Sequence, residues 1–176
     1  MLKIYDEFLP TSDFEVIQSL LLSDNIPWYY NDSITGSEVG LDAFHFAHPF
    51  FNTTNPFDKR KSILSDFLFP ILTKLSPQHL LRVKANLFPR TSSISLSNFH
   101  TDMDLQQLSA IFSINSNNGY TLFKDGTKVD SVKNRLCLFD GHLEHAGSTC
   151  TNAKCRVNLN INYIPVLFNG VQQLPP

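Results

Sequence analysis

Arg156-Val-Asn-Leu-Asn-Ile-Asn-Tyr163 alternates polar and apolar side chains without interruption. Side chains two apart on a strand point the same way, so the stretch is a strand with Arg156, Asn158, Asn160 and Asn162 on one face. Val157, Leu159, Ile161 and Tyr163 occupy the other. Leu80 to Phe88 repeats the arrangement, with Arg82, Lys84 and Asn86 opposed to Leu81, Val83, Ala85 and Leu87. Two strands with one apolar and one strongly polar face bury the first under helices. They turn the second to solvent or into a wet cavity.

Working outward, further strands are expected at Leu108–Ile114, Tyr120–Lys124, Lys128–Val132 and Arg135–Phe139, with a hairpin at Asp125-Gly126. Phe44 to His48 reads as another strand. Ser12 and Glu15 have capping-box spacing ahead of Phe14, Ile17, Leu20 and Leu21, which predicts a helix ending near Asp24, Asn25 and Pro27. A second helix is expected from Asp58 to about Lys74, with Ile63, Phe67, Ile71 and Leu75 on one face and a break at Pro70. Short antiparallel strands with flanking helices give the expected fold class: mainly β with helices (α+β), a double-sheet jelly roll. One domain is expected over 1–176, with helical support in 1–77 and the jelly-roll core in 78–164.

The composition narrows the function. A net charge of −2 and no basic stripe argue against a nucleic-acid partner. The only tight basic cluster, Lys59, Arg60 and Lys61, is explained by a helix start at Asp58. No apolar run approaches the ~20 residues of a membrane span. The opening MLKIYDEFLP lacks the pattern of a secretory signal. Cys137, Cys150 and Cys155 are too few for a disulfide framework, and a reducing cytoplasm is the expected setting. Cys150 and Cys155 have no second pair with which to form a zinc site. The 15 Phe residues suggest a thick aromatic core. The run from Trp28 to Phe51 reads first as part of that core and second as the wall of an apolar substrate slot.

Of six histidines, His100 stands out because Asp102 follows two residues on. Extended backbone presents such a pair together. His145, 43 residues beyond Asp102, would complete two imidazoles and one carboxylate. That set, with open positions, suits iron(II) in oxygenases. His142 rivals His145 and Asp104 rivals Asp102, and spacing favours His145 and Asp102. His45, His48 and His79 read as surface or packing residues, with substrate contact open for the first two. Arg156, 11 residues after His145 on a polar strand face, offers a guanidinium for a carboxylate. Arg82 and Lys84 read equally as a solvated rim or as co-substrate contacts.

These residues, in this order, resemble the 2-oxoglutarate/iron(II)-dependent dioxygenases, nearest the prolyl-hydroxylase-like branch and its short phage-encoded members. His100-Thr-Asp102, Asn118-Gly-Tyr-Thr-Leu-Phe123, Arg135-Leu-Cys-Leu-Phe139, His145-Ala-Gly147 and Arg156 carry the resemblance, which covers roughly residues 78–164. It implies Fe(II) on His100, Asp102 and His145, and 2-oxoglutarate on Arg156 with Thr121 lining its pocket. It also implies O2 and a small-molecule or peptide substrate, prolyl or other amino-acid groups first. Phe88 and Phe112 stand where relatives place tyrosines, and Asn86, on the face of Phe88, is the expected substitute for a missing hydroxyl. Two other readings remain: a cupin-like metal-dependent isomerase or dioxygenase, which has no use for Arg156, and a non-enzymatic binding module.

Overall fold

The computed structural model describes residues 1–35, 44–53, 66–168 and 171–172. In chain order the elements are β1 (Leu2–Tyr5), α1 (Thr11–Leu21), β2 (Tyr29–Asn31), β3 (His45–Asn52), a 3-10 turn (Asp66–Leu68) and α2 (Phe69–Leu75). There follow β4 (Pro77–Pro89), β5 (Leu108–Ser113), β6 (Tyr120–Phe123), β7 (Lys128–Asp130) and β8 (Arg135–Asp140). The chain continues through β9 (His145–Gly147), β10 (Cys155–Pro165) and a small hairpin of β11 (Leu167–Phe168) and β12 (Val171–Gln172).

Seven antiparallel strands form the larger sheet in the order β1-β8-β5-β10-β4-β3-β2. A smaller sheet, β7-β6-β9, is extended where isolated bridges dock Leu96 on Ser148 and His100 on His145. Together the sheets make the expected jelly roll. β10 is central in the larger sheet, paired with β4 and β5 along most of its length. Its apolar face, Val157, Leu159, Ile161 and Tyr163, joins the main core with Val83 and Ala85 of β4, and with Phe14, Ile17 and Leu21 of α1 and Ile71 and Leu75 of α2. Burying each large apolar side chain here contributes about 1.5–3 kcal/mol. A second, smaller core of Ile111, Phe123, Val129, Cys137 and Phe139 links the two sheets.

The polar face of β10 is not solvated. Arg156, Asn158, Asn160 and Asn162 are all buried. Of the two outcomes its pattern allowed, the cavity is the one realised, because the smaller sheet lies over this face. Register then lines up cross-strand rows on the cavity floor: Arg156 opposite Phe88, Asn158 opposite Asn86, Asn160 opposite Lys84 and Asn162 opposite Arg82. Beyond that pair the register slips, so that Tyr163 faces Leu80. Leu80, rather than the expected Leu81, therefore packs against the main core.

Other expectations shift for local reasons. α1 starts at Thr11 with Pro10 as its N-cap and no side-chain capping bond, so Ser12 does not serve as the cap. Instead the Pro10 carbonyl accepts from Asp13 N and Phe14 N at 3.1 and 3.0 Å. Pro70 lies in the first turn of α2, directly after the 3-10 turn of Asp66–Leu68. First-turn N–H groups have no intrahelical acceptor, so proline costs nothing there. The expected helical residues 58–65, and with them Lys59, Arg60, Lys61 and Ile63, lie outside the described residues. Gly126, at φ +90°, turns the β6–β7 hairpin as its sequence suggested. No described helix is long and apolar enough to cross a membrane.

Candidate metal centre and anion pocket

His100 and His145 come together because their backbones pair. His100 N donates to His145 O at 3.0 Å and His145 N to His100 O at 2.9 Å. Their ring centroids lie 4.7 Å apart. The link is an isolated bridge, and the chain bends at Asp102, so the His-x-Asp segment is not the regular strand expected of it. The bend still returns the Asp102 carboxylate to the two rings. One ligand atom from each of His100, Asp102 and His145 lies within 4.8 Å of the others, the one such cluster among the described residues. His142 and Asp104 are exposed outside it, and so is His79.

Hydrogen bonds fix how each group is presented. His100 Nδ1 lies 3.1 Å from Asn98 O and His145 Nδ1 3.0 Å from Leu143 O. A carbonyl only accepts, so both Nδ1 atoms carry the proton and both Nε2 lone pairs are left for a metal. Burial lowers the His145 pKa, against the opposing pull of Asp102 and the Leu143 carbonyl, and favours the neutral, ligating form. Burial alone would raise the Asp102 pKa. Only together do the charge of Arg82, the strongest opposing effect, and the contributions of His145, Ser109 and Asn160 outweigh burial and hold the carboxyl ionised well below the usual range. Two imidazoles whose Nδ1 atoms face carbonyls, and an ionised carboxylate, are a donor set that a divalent cation takes up, so the residues present fit one.

Arg156 forms the second half of the site. It is 2% exposed and donates through Nε to Ser131 Oγ at 2.7 Å, through Nη1 to Ser148 O at 3.0 Å and through Nη2 to Thr121 Oγ1 at 3.0 Å. All three acceptors are neutral. A guanidinium has five N–H groups, so one on each terminal nitrogen has no partner among the described residues. Burial brings its pKa down to about 10, which leaves it charged at neutral pH. A buried cation with two spare donors fits a carboxylate. The guanidinium carbon sits 5.5 Å from the Phe88 ring centroid, and His45 stacks on Phe88 at 5.5 Å. Close approach by the backbone makes room for it. A Cβ on Gly119 would lie 2.8 Å from Arg156 Cδ and 2.7 Å from Thr149 O.

The cluster and Arg156 line one cleft together with Ile34, His45, Lys84, Asn86, Phe88, Ile111, Thr121, Asn158 and Asn160. Asn86 donates to Asn158 Oδ1 at 3.1 Å, while its own Oδ1 has no partner among the described residues. Phe112 is not in this cleft. It points to the opposite face of β5 and packs edge-on against Phe8 and Phe14 in the main core. Of the stretch from Trp28 to Phe51, Trp28 and Phe50 belong to that core, while Ile34 and His45 among its described residues line the cleft. The first reading of those aromatics, core packing, holds for Trp28 and Phe50, and no described Trp, Tyr or Phe of the stretch walls the cleft as the second reading would have it. Cys137, Cys150 and Cys155 are free thiols, and burial raises the pKa of each. Sequence reading missed the roles of Ser109, Ser131 and Ser148. Only the parity of Ser109 on its strand signalled an inward side chain.

No protein-family model and no curated protein sequence matches the chain. Its backbone does match solved structures. One is a prolyl hydroxylase from Trichoplax adhaerens in complex with a hypoxia inducible factor oxygen degradation domain peptide fragment. It is 13% identical over 93% of this chain and 83% of that one, with a TM-score of 0.62. Another is a Pseudomonas putida prolyl-4-hydroxylase, 15% identical over 93% and 92%, with a TM-score of 0.57. A third is the viral collagen prolyl hydroxylase of Paramecium bursaria Chlorella virus-1 with 2-oxoglutarate, 13% identical over 93% and 96%, with a TM-score of 0.55. The fold is thus that of the 2-oxoglutarate/iron(II) oxygenases, prolyl hydroxylases among them, and it carries an intact His-x-Asp…His set.

Proposed function

We propose that the chain is a 2-oxoglutarate- and iron(II)-dependent oxygenase, acting as a single domain, that hydroxylates a prolyl or other amino-acid group. The observation that carries this reading is one cleft holding both a His–Asp–His donor set and a buried arginine with two spare donors. His100, Asp102 and His145 would hold the metal and leave positions open on it. When bound, iron(II) supplies oxygen activation coupled to decarboxylation of 2-oxoglutarate to succinate and CO2. Arg156 takes the distal carboxylate, with Thr121 fixing its Nη2 edge and Asn86 standing where Phe88 supplies no hydroxyl. Phe88 and Ile111 supply apolar wall that limits water beside the reacting groups.

The substrate class rests on the structural likeness to prolyl hydroxylases, one of them with a peptide bound. A cupin-like reading leaves the buried Arg156 without a task, and a degenerate binding module would not be expected to keep the donor set and the arginine together. Anaerobic titration with Fe(II) and then 2-oxoglutarate, followed by O2 and measurement of succinate, tests the proposal. Both ligands should bind, and succinate should form. A chain that binds both and yields no succinate with any added peptide or amino acid is not an oxygenase of this type.

A further inference from the structure

Asp102 is gripped on both oxygens, and the grips differ. Oδ1 accepts from Arg82 Nη2 at 2.8 Å and Asn160 Nδ2 at 2.9 Å. Oδ2 accepts from Ser109 Oγ at 2.8 Å and Asn162 Nδ2 at 3.1 Å, and lies 4.0 Å from His145 Nε2. The charged donor is on Oδ1 alone. Charge-assisted hydrogen bonds are roughly twice as strong as neutral ones, so Oδ1 is the oxygen less able to give its electrons to a metal. Oδ2, held only by neutral donors, lies toward the histidine. Arg82 is itself anchored, since its Nε donates to Asn162 Oδ1 at 2.9 Å, and its side chain is 19% exposed. The residue is therefore no solvated rim. A carboxylate free to turn can give a metal both oxygens and fill one more coordination position.

We infer that Arg82 is a positioning residue that commits Asp102 to ligation through Oδ2 alone and so keeps a position open for the co-substrate. The inference rests on the metal-centre reading above. It separates two properties that usually fall together: holding the metal and accepting 2-oxoglutarate.

The test uses the whole chain and Co(II), whose visible absorption reports coordination, with wild type, Arg82→Met and Arg82→Lys under anaerobic conditions. Three quantities are read: Co(II) affinity, the Co(II) spectrum before co-substrate, and 2-oxoglutarate affinity of the loaded protein. Arg82→Met should bind Co(II) at least as tightly as wild type and show an altered spectrum. Its 2-oxoglutarate dissociation constant should rise by about tenfold or more, the scale of outer partners of metal ligands. Arg82→Lys, with the charge but not the fork, should fall between. An unaltered spectrum with unaltered 2-oxoglutarate affinity in Arg82→Met overturns the inference. Loss of Co(II) binding in both variants overturns it too, because Arg82 would then serve the fold or the metal itself. Wild type that binds Co(II) but not 2-oxoglutarate defeats the proposed function instead, and the spectral comparison still decides the role of Arg82.

Discussion

His100 and His145 exchange a reciprocal pair of backbone hydrogen bonds, so the two imidazoles of the centre are placed by the same bridge that docks the 96–100 segment on β9. The side chains are not needed for that bridge. His100→Ala and His145→Ala should each abolish most Fe(II) binding and leave the circular dichroism unchanged, while the exposed His142→Ala should bind Fe(II) like wild type. Isothermal titration under nitrogen checks this. Strong binding by His145→Ala would move the distal ligand elsewhere.

Arg156→Ala should weaken 2-oxoglutarate binding by about 2–5 kcal/mol, as for truncation of one partner of a buried charged pair. Fe(II) affinity should hold. Arg156→Lys should recover only part, because a point charge cannot fork onto two oxygens. Equal 2-oxoglutarate affinity in all three proteins would leave the arginine without its proposed ligand.

Gly119→Ala acts on the same pocket from behind. The added methyl would meet Arg156 Cδ and the Thr149 carbonyl below 3 Å, and a backbone carbonyl yields less readily than a side chain. The variant should lose 2-oxoglutarate affinity while keeping Fe(II) affinity. A co-substrate titration matching wild type would show that the pocket relaxes around the methyl.

Phe88 and Phe112 should respond oppositely to the same change. Phe88→Tyr puts a hydroxyl at the cleft and should tighten 2-oxoglutarate binding with little effect on stability. Phe112→Tyr buries a hydroxyl between Phe8 and Phe14 and should cost about 1–3 kcal/mol, the penalty of an unsatisfied polar group. Urea unfolding of the two variants separates the cases, and equal stability losses would contradict the opposite facing of these rings.

Succinate formation should rise when proline-containing peptides or free amino acids are added to chain, Fe(II) and 2-oxoglutarate, with a mass gain of one oxygen on the added molecule. Stimulation by an oligonucleotide and not by any peptide would replace this substrate class, against the net charge of −2.

Much of this was legible because strand period is simple. Alternation alone placed Arg156 and the asparagines on one face and the core on the other, and His-x-Asp spacing singled out Asp102. What alternation does not encode is which sheet covers a face, so the cavity was one of two outcomes. Nor does it encode facing across a slipped register, as with Leu80. Phe112 was read by likeness of position rather than by its parity. Its neighbours Ile111 and Ser113, on the floor side of β5, show by alternation that Phe112 points away. Partners of the site such as Ser131 and Ser148 are set by pairing between distant segments, which no local pattern announces.

All eleven residues of β10 are at least partly committed between two interiors, helices and apolar core on one side and cleft on the other, with nine of them buried. Such a strand has almost no position at which a sequence can drift freely. Descendants of this chain that acquire new substrates must therefore do so by changing residues outside this strand, while Arg156 to Tyr163 stays nearly as it is. Random mutagenesis selected for retained folding should show that contrast directly, as an invariant stretch of alternating Asn and aliphatic residues amid tolerant loops.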